Sequence, residues 1–379
     1  MAISPPKDGL VGLTKPERRK AFGLMPNAQH QTFHGFMAGA AGGPDPGYRL
    51  AVVEFDDQGR CYDRGQMDAV AKSLNDLMQD EKDVILLVFV HGWKHDARSD
   101  DENLSEFRRL LARVDQHERG AAAPGQARPV LGVFVGWRGM SEYGIGEVVA
   151  DGTFWGRQAA GHRVSTGSVR ELFGRFRHYR NHRLKHEPGG KPLLVIAGHS
   201  FGGMIVYSAL AQSLIEGASA PGGRLVPSFA DLVLLINPAI EGARYIPIYD
   251  LVQSQEFNAR TTQQPPVFIC AQAENDKPVG TFFPIGNVTH RIDQGTIGDL
   301  ERVCTTHAIG FVPDFRTHKL IGTSGQASFR LEPIGDQQHN PFWVVGADKK
   351  VINNHSGIWL APFRDFLADV LLEHVETSR

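Results

Sequence analysis

The stretch LLVIAGHSFGGMIVYSAL, residues 193–210, decides how the rest of this sequence is interpreted. It begins with apolar, mostly branched residues, as does a strand that is buried on both faces of a parallel sheet. This run leads directly into Gly198-His199-Ser200-Phe201-Gly202 and then into a predicted helix. A serine at such a turn is either an ordinary helix cap or a nucleophile whose oxygen a tight, strained turn pushes above the sheet.

Apolar runs of the same kind recur along the chain and predict the other strands. With 193–198 they are 48–55, 84–90, 130–136, 231–237, 266–272 and 342–347. The predicted helices are 66–78, 103–115, 168–186, 202–216 and a closing helix within 357–375. Strands that alternate with helices predict an α/β fold, with a mostly parallel central sheet and helices on both faces. The ligand site of such a sheet lies beyond the carboxyl ends of its strands.

The domain organisation follows from where this alternation holds. Residues 1–45 are rich in Gly, Pro and Ala without a sustained period, which predicts an irregular N-terminal arm. A single α/β domain is predicted over residues 46–379. Two segments interrupt the rhythm, at 139–167 and 277–340, and both are interpreted as insertions that could cover a site.

Composition excludes several classes of protein. The 379 residues are 41% hydrophobic and 22% charged with a formal net charge of −2, which is typical of a globular protein and disfavours nucleic acid as a partner. The three cysteines, Cys61, Cys270 and Cys304, are too scattered for a disulfide framework or a cysteine zinc site. No apolar run is long enough for a signal peptide or a membrane span. We therefore expect a cytoplasmic protein, or a secreted one whose leader has been removed.

Two motifs together suggest a family. Gly198-His199-Ser200-Phe201-Gly202-Gly203, with His91-Gly92-Trp93 after an earlier predicted strand, resembles the α/β-hydrolase superfamily, specifically its esterase and lipase branch. The resemblance covers roughly residues 48–376, and short motifs carry it. It implies the α/β-hydrolase fold and a serine nucleophile that an acid and then a histidine follow along the chain.

The histidine that this order implies is His355. It lies between the last predicted strand and the closing helix, above the carboxyl edge of the sheet, where loop residues are disproportionately functional. Its alternative is a plain loop residue beside a helix cap at Ser356. The other histidines after Ser200 fall in the second insertion or near the chain end and are His290, His307, His318, His339 and His374.

The acid that the resemblance implies lies just beyond the preceding strand, in AENDKPVG. Asp276 matches the superfamily position best, and Glu274 is the reserve. Asp348 and Glu241, beyond other strand ends, are weaker rivals. The alternative for Asp276 is a surface residue of a proline-flanked turn.

A hydrolase of this kind also needs two hydrogen-bond donors for the developing oxyanion. The N–H of Phe201, directly after the nucleophile, is the first. The loop after strand 84–90 is the source of the second, with Gly92 and Trp93 as candidates and His91 as a structural brace. The candidate substrate-lining residues are His199 and Trp137, for which packing is the simpler role.

These residues predict a carboxylic ester hydrolase that forms an acyl-enzyme, with Ser200 as nucleophile, His355 as base and Asp276 as orienting acid. The motifs imply no cofactor and no metal. The apolar and aromatic insertions favour a small-molecule ester with an apolar or aromatic part, and a thioester or an amide stays open, as does the oligomeric state. The alternative from another class is a non-catalytic protein of the same fold that binds a small apolar ligand. A nucleotide-binding protein is disfavoured because GHSFGG lacks the lysine of a phosphate-binding loop.

Overall fold

In the part of the chain that the structure describes, a sheet of ten strands forms the centre of the molecule. The computed structural model describes residues 33–37, 47–79, 83–92, 95, 97, 101–137, 150–186, 190–220, 225–259, 261–277, 279–280, 298–324 and 328–377. The strands are β1 (Phe33–Met37), β2 (Tyr48–Phe55), β3 (Ile85–Val90), β4 (Val130–Trp137), β5 (Leu193–His199), β6 (Leu232–Ile236), β7 (Phe268–Ala273), β8 (His318–Gly322), β9 (Phe329–Pro333) and β10 (Phe342–Ala347).

The strands lie side by side in the order β1-β2-β4-β3-β5-β6-β7-β10-β8-β9. Every neighbouring pair from β2 to β8 is parallel, and only the outermost pairs, β1–β2 and β8–β9, are antiparallel. The chain therefore has an α/β fold with a mostly parallel central sheet.

Helices cover both faces of this sheet. They are α1 (Arg64–Gln79), α2 (Glu102–Ala121), α3 (Ala150–Thr166), α4 (Ser168–His186), α5 (Phe201–Ala218), α6 (Ile246–Val252), α7 (Gln255–Asn258), α8 (Asp299–Thr306) and α9 (Ala361–Thr377), with 3₁₀ turns at Gly242–Arg244, Ile309–Phe311 and Pro313–Phe315. One hydrophobic core lies under α1, α3, α4 and α5, and the other lies under α2 and α9. Alternate residues of β5 enter the two cores, Leu194 and Ile196 the first and Leu193 and Val195 the second. This two-sided burial explains why the strand runs are continuously apolar.

The direction of winding changes at the centre of the sheet. Helix α2, on one face, leads from β3 outward to β4, and α3 and α4, on the other face, lead back past β3 to β5. Helices α2 and α5, the helices that follow β3 and β5, therefore lie on opposite faces of the sheet, and the adjacent carboxyl ends of β3 and β5 form a topological switch point. Open α/β sheets bind their ligands at this kind of switch point. Gly92 and Ser200 both lie there.

Three segments differ from the sequence-based expectation. Residues 33–37, inside the predicted irregular arm, form β1 because they pair with β2. The described part of the 139–167 insertion contains helix α3. The last part of the 277–340 segment is not a cover but adds β8 and β9 to the sheet beside β10. Residues 139–149 of the first insertion and residues 278, 281–297 and 325–327 of the second lie outside the described residues.

Two further observations concern membranes and cysteines. Within the described ranges, no helix combines the length and apolar character that a membrane crossing requires. Cys61, Cys270 and Cys304 are all buried free thiols.

Candidate active site

Ser200 stands at the sharp turn between β5 and α5. Its backbone has φ 56° and ψ −121°, a conformation that a residue with a Cβ rarely adopts and that stores strain. The Ser200 side chain makes no capping hydrogen bond to α5. The helix-cap alternative therefore does not describe this serine, whose Oγ is bonded elsewhere.

Glycines allow the loop after β3 to approach this turn. A Cβ on Gly202 would lie 2.1 Å from the carbonyl oxygen of Val90, closer than any real contact. A Cβ on Gly92 would lie 3.0 Å from Cβ of Ser200. The absence of these side chains brings the β3 loop against the serine.

His355 joins the serine to a buried carboxylate. Its Nε2 lies 2.7 Å from Oγ of Ser200, and its Nδ1 lies 2.8 Å from Oδ2 of Asp276. Because a carboxylate only accepts hydrogen bonds, the proton belongs on Nδ1, and Nε2 is left to accept the Ser200 proton. The His355 side chain is 18% exposed, whereas that of Asp276 is 0% exposed. The histidine can thus be reached from solvent while its carboxylate partner is shielded.

Asp276 is fixed in orientation by two further donors. Gln272 Nε2 donates to Oδ2 over 3.0 Å, and the Val279 N–H donates to Oδ1 over 3.1 Å. A buried carboxylate with several donors is well satisfied and has little freedom to rotate.

The other candidate acids have different partners. Glu274 accepts from Arg316 over 3.2 Å, and Asp348 accepts backbone N–H groups of its own loop and of Gly322. Glu241 accepts from Gln158 over 3.4 Å. Among the described residues, Asp276 is the carboxylate that bonds His355.

The first turn of helix α5 directly follows Ser200. The N–H groups at the start of a helix carry partial positive charge. The N–H of Phe201 begins this turn. Gly92 lies against the serine, and Trp93, the other candidate donor, lies outside the described residues. His91 is completely buried and bonds the carbonyl of Gly92 through Nδ1 and the N–H of Trp137 through Nε2, so it holds this loop to β4.

The two candidate substrate-lining residues are buried. Trp137 is 3% exposed, stacks on His91 and donates its indole N–H to the His91 carbonyl over 2.8 Å. His199 is 2% exposed and contacts the His355 loop. Burial, and then the neighbouring His355, hold the pKa of His199 well below its usual range, so the ring is neutral. Both side chains therefore contact other protein groups.

The sequence analysis missed two side chains, Asn237 and Gln272. Asn237 directly follows β6 with φ 44°, is completely buried and bonds the carbonyl of His355. A polar residue at the end of an apolar strand run, in LLIN, was the available signal. Across the described residues, no group of three or more His, Cys, Asp or Glu is arranged to hold a metal ion.

Comparisons with known proteins identified no relative of this chain. No protein-family model, no curated protein and no solved structure matches the chain. The function must therefore be inferred from the residues and their arrangement.

Proposed function

We propose that this protein is a serine hydrolase with the α/β-hydrolase fold that cleaves carboxylic esters through an acyl-enzyme. The observation that carries the proposal is the continuous hydrogen-bonded line from Ser200 Oγ to His355 and Asp276, with distances of 2.7 Å and 2.8 Å. A serine hydroxyl is a weak nucleophile until a base accepts its proton, and His355 Nε2 is placed to accept it.

In the first half of the reaction, Ser200 Oγ attacks the ester carbonyl carbon while its proton passes to His355 Nε2. The carbonyl oxygen takes the negative charge and faces the N–H of Phe201 at the start of α5. Asp276 stabilises the imidazolium that forms. When the tetrahedral intermediate collapses, the bond to the alcohol oxygen breaks, and the proton on Nε2 passes to that oxygen.

In the second half, water replaces the alcohol. His355 accepts a proton from the water, whose oxygen attacks the acyl carbon, and the same proton returns to Ser200 Oγ as the acid leaves. Serine and histidine are both regenerated, so atoms and charge balance over the cycle.

Two features beyond the hydrogen bonds support this proposal. Ser200 carries strained backbone angles at a strand-to-helix turn, and such strain is concentrated at functional sites. The serine also lies at the switch point of the sheet, where ligands of α/β proteins bind. The substrate class that we propose is a small-molecule ester with an apolar or aromatic part, and thioesters and amides are tested beside it.

The experiment begins with a fluorophosphonate probe, which reacts with activated serines. Wild-type protein should be labelled and Ser200→Ala should not, with Ser208→Ala as the matched control because Ser208 lies on α5 away from the turn. A series of short to long acyl esters, with thioesters and anilides alongside, then identifies the preferred bond. Folded wild-type protein that neither takes the label nor hydrolyses any of them would favour the non-catalytic binding protein instead.

A further inference from the structure

The backbone carbonyl of His355 receives hydrogen bonds from two buried side chains. Asn237 Nδ2 donates to it over 2.9 Å, and His199 Nε2 lies 2.9 Å from it. The two donors are 0% and 2% exposed. A carbonyl oxygen has two lone pairs, so these two groups complete its hydrogen bonding.

Asn237 connects the His355 loop to the strand that precedes Asp276. Its Oδ1 accepts the N–H of Ala273, at the end of β7, over 2.8 Å. This contact fixes which end of the amide is the donor, since a backbone N–H needs an oxygen. Asn is one of the few residues that readily adopt positive φ, and Asn237 has φ 44°. Its Nδ2 also reaches the carbonyl of Asn354 at 3.3 Å.

His199 connects the same loop to the nucleophile, because it directly precedes Ser200. The neutral ring has one N–H, which belongs on Nε2 because that nitrogen faces the His355 carbonyl. Its ring centroid lies 5.1 Å from that of His355. On its other side, a Cβ on Gly92 would lie 2.9 Å from Nδ1, so the bare backbone of Gly92 makes room for the ring.

Gln272 links the two ends of this network. Its Nε2 lies 3.0 Å from Oδ2 of Asp276 and 3.4 Å from Oδ1 of Asn237. The network thus ties the backbone of His355 to the ends of β5, β6 and β7, independently of the two bonds that its imidazole makes.

We propose that His199 and Asn237 are positioning residues that hold the His355 backbone so that the imidazole meets Ser200 and Asp276 at once. This inference rests on the proposed hydrolase function. Its physical reason is that a displacement of about 1 Å in a reacting group can cost about a hundredfold in rate. Without the two donors, the His355 carbonyl would lose its hydrogen bonds. The remaining contacts at this point of the loop include the bond from the Asn354 N–H to Asn275 and the two imidazole contacts, of which the one to Ser200 must break and re-form during turnover.

The test uses variants of His199 and Asn237 that remove or keep the hydrogen-bond donor to the His355 carbonyl and change little else. His199→Gln keeps an N–H donor at about the distance that Nε2 reaches from the backbone. His199→Met has a side chain of the same length but no N–H donor. We expect Met to lower kcat about tenfold, the effect of one hydrogen bond to a carbonyl, with KM little changed and with Gln restoring most of the loss. Asn237→Asp keeps size and Oδ1 but turns an acceptor toward the His355 carbonyl, and should lower kcat by about tenfold or more.

The matched control is His374→Met. His374 is also buried and bonds two carbonyls, those of Val370 and Pro266, but it lies on α9 and outside the site. It should lower Tm and leave kcat unchanged. The contrast between kcat and KM, together with rescue by His199→Gln, separates positioning from plain stability. His199→Met should lower kcat with KM little changed, whereas His374→Met should change neither.

The outcomes separate the two proposals. Absence of labelling and turnover in the wild type contradicts the hydrolase function itself. A labelled, active wild type whose His199→Met and Asn237→Asp variants keep wild-type kcat overturns the positioning roles and leaves the function standing. The same holds if these variants only lose stability, as His374→Met does. Should His199→Met not fold, the contrast between Asn237→Asp and wild type decides, because Asp preserves the volume and the positive φ of this position.

Discussion

Two histidine–carboxylate pairs lie in the segments that follow the central strands. They differ in what the histidine and the carboxylate of each pair contact besides one another. His355 Nδ1 lies 2.8 Å from Asp276, and His95 Nδ1 lies 3.0 Å from Asp101. In the first pair, the second ring nitrogen meets Ser200. In the second pair, Asp101 caps helix α2 by accepting the N–H groups of Asn103 and Leu104.

The difference shows that a histidine–carboxylate contact does not define a base. The partner of the second ring nitrogen decides, and among the described residues no serine bonds Nε2 of His95, the histidine of the capping pair. One pair is arranged for proton transfer from a hydroxyl, and the other stabilises the start of a helix. Substitutions in the two pairs test this distinction, and the largest effect is expected at the carboxylates.

Asparagine substitutions in the two carboxylates should separate the pairs most clearly. Asp276→Asn removes the acceptor that holds the Nδ1–H tautomer of His355 and should lower kcat about 10³–10⁴-fold. Asp101→Asn should leave kcat within about threefold, as for a substitution outside the reacting groups. Steady-state hydrolysis of the best ester measures both. Equal losses would mean that the capping pair belongs to the active site.

Loss of the helix cap should appear in stability. Asp101→Ala leaves two N–H groups of α2 without their side-chain acceptor and should lower the free energy of unfolding by about 1 kcal/mol, read from the urea midpoint. Asp101→Asn is the matched control, because asparagine caps helices about as well as aspartate. If Asn costs as much as Ala, the contact with His95 rather than the cap is what stabilises this region.

The charge of Asp101 should make stability depend on acid pH. Burial raises the pKa of Asp101, but the hydrogen bond and charge of His95, the charge of His91 and the hydrogen bond from the Leu104 N–H together outweigh it, so the pKa lies below its usual value. The unfolded chain therefore binds this proton more tightly, and the stabilisation is present above the unfolded pKa of about 3.9 and is lost as pH falls through the lower folded value. Between about pH 5 and pH 3, urea midpoints should fall more steeply for wild type than for Asp101→Asn. Parallel curves would contradict this assignment.

The smallest effect is expected at His95. His95→Gln should change kcat/KM by less than about threefold and leave fluorophosphonate labelling intact, since His95 pairs with a capping residue. His355→Gln, which removes the base, should abolish turnover under the same conditions. A large loss in His95→Gln would instead place this histidine in contact with substrate.

Much of the fold was predictable from local patterns. Strands such as β3 and β5 are buried on both faces and read as unbroken apolar runs, and helix α4 was predicted at its observed bounds, 168–186. The outer strands lack this signal. In β8, which lies next to the edge strand, buried residues alternate with exposed or half-exposed ones, and β9, at the edge, has no fully buried residue. The sequence therefore predicts a cover where the sheet continues.

The residues of the candidate site also divide into those that a local sequence pattern indicates and those that it does not. Ser200 was identifiable because the residues of its turn are contiguous, and the order of acid and histidine came from a family resemblance. The roles of Asn237 and Gln272 were not identifiable. Each stands out as a single polar residue at the end of an apolar run, but what it bonds depends on which strands are neighbours.

The sequence by itself determined the central strands, the strained turn at Ser200 and five of the described helices, since these depend on residues close together along the chain. Those helices are α1, α2, α4, α5 and α9. The tertiary structure decided which side chains, distant along the chain, bond one another. Ser200 and His355 are 155 residues apart and His355 and Asp276 are 79 apart, and they meet because the sheet places β5, β6, β7 and β10 side by side. It also decided that Asp276, rather than Glu274, bonds His355, because the turn after β7 buries the first and leaves the second exposed beside Arg316. No local pattern encodes these contacts, since they follow from the order in which distant strands pair.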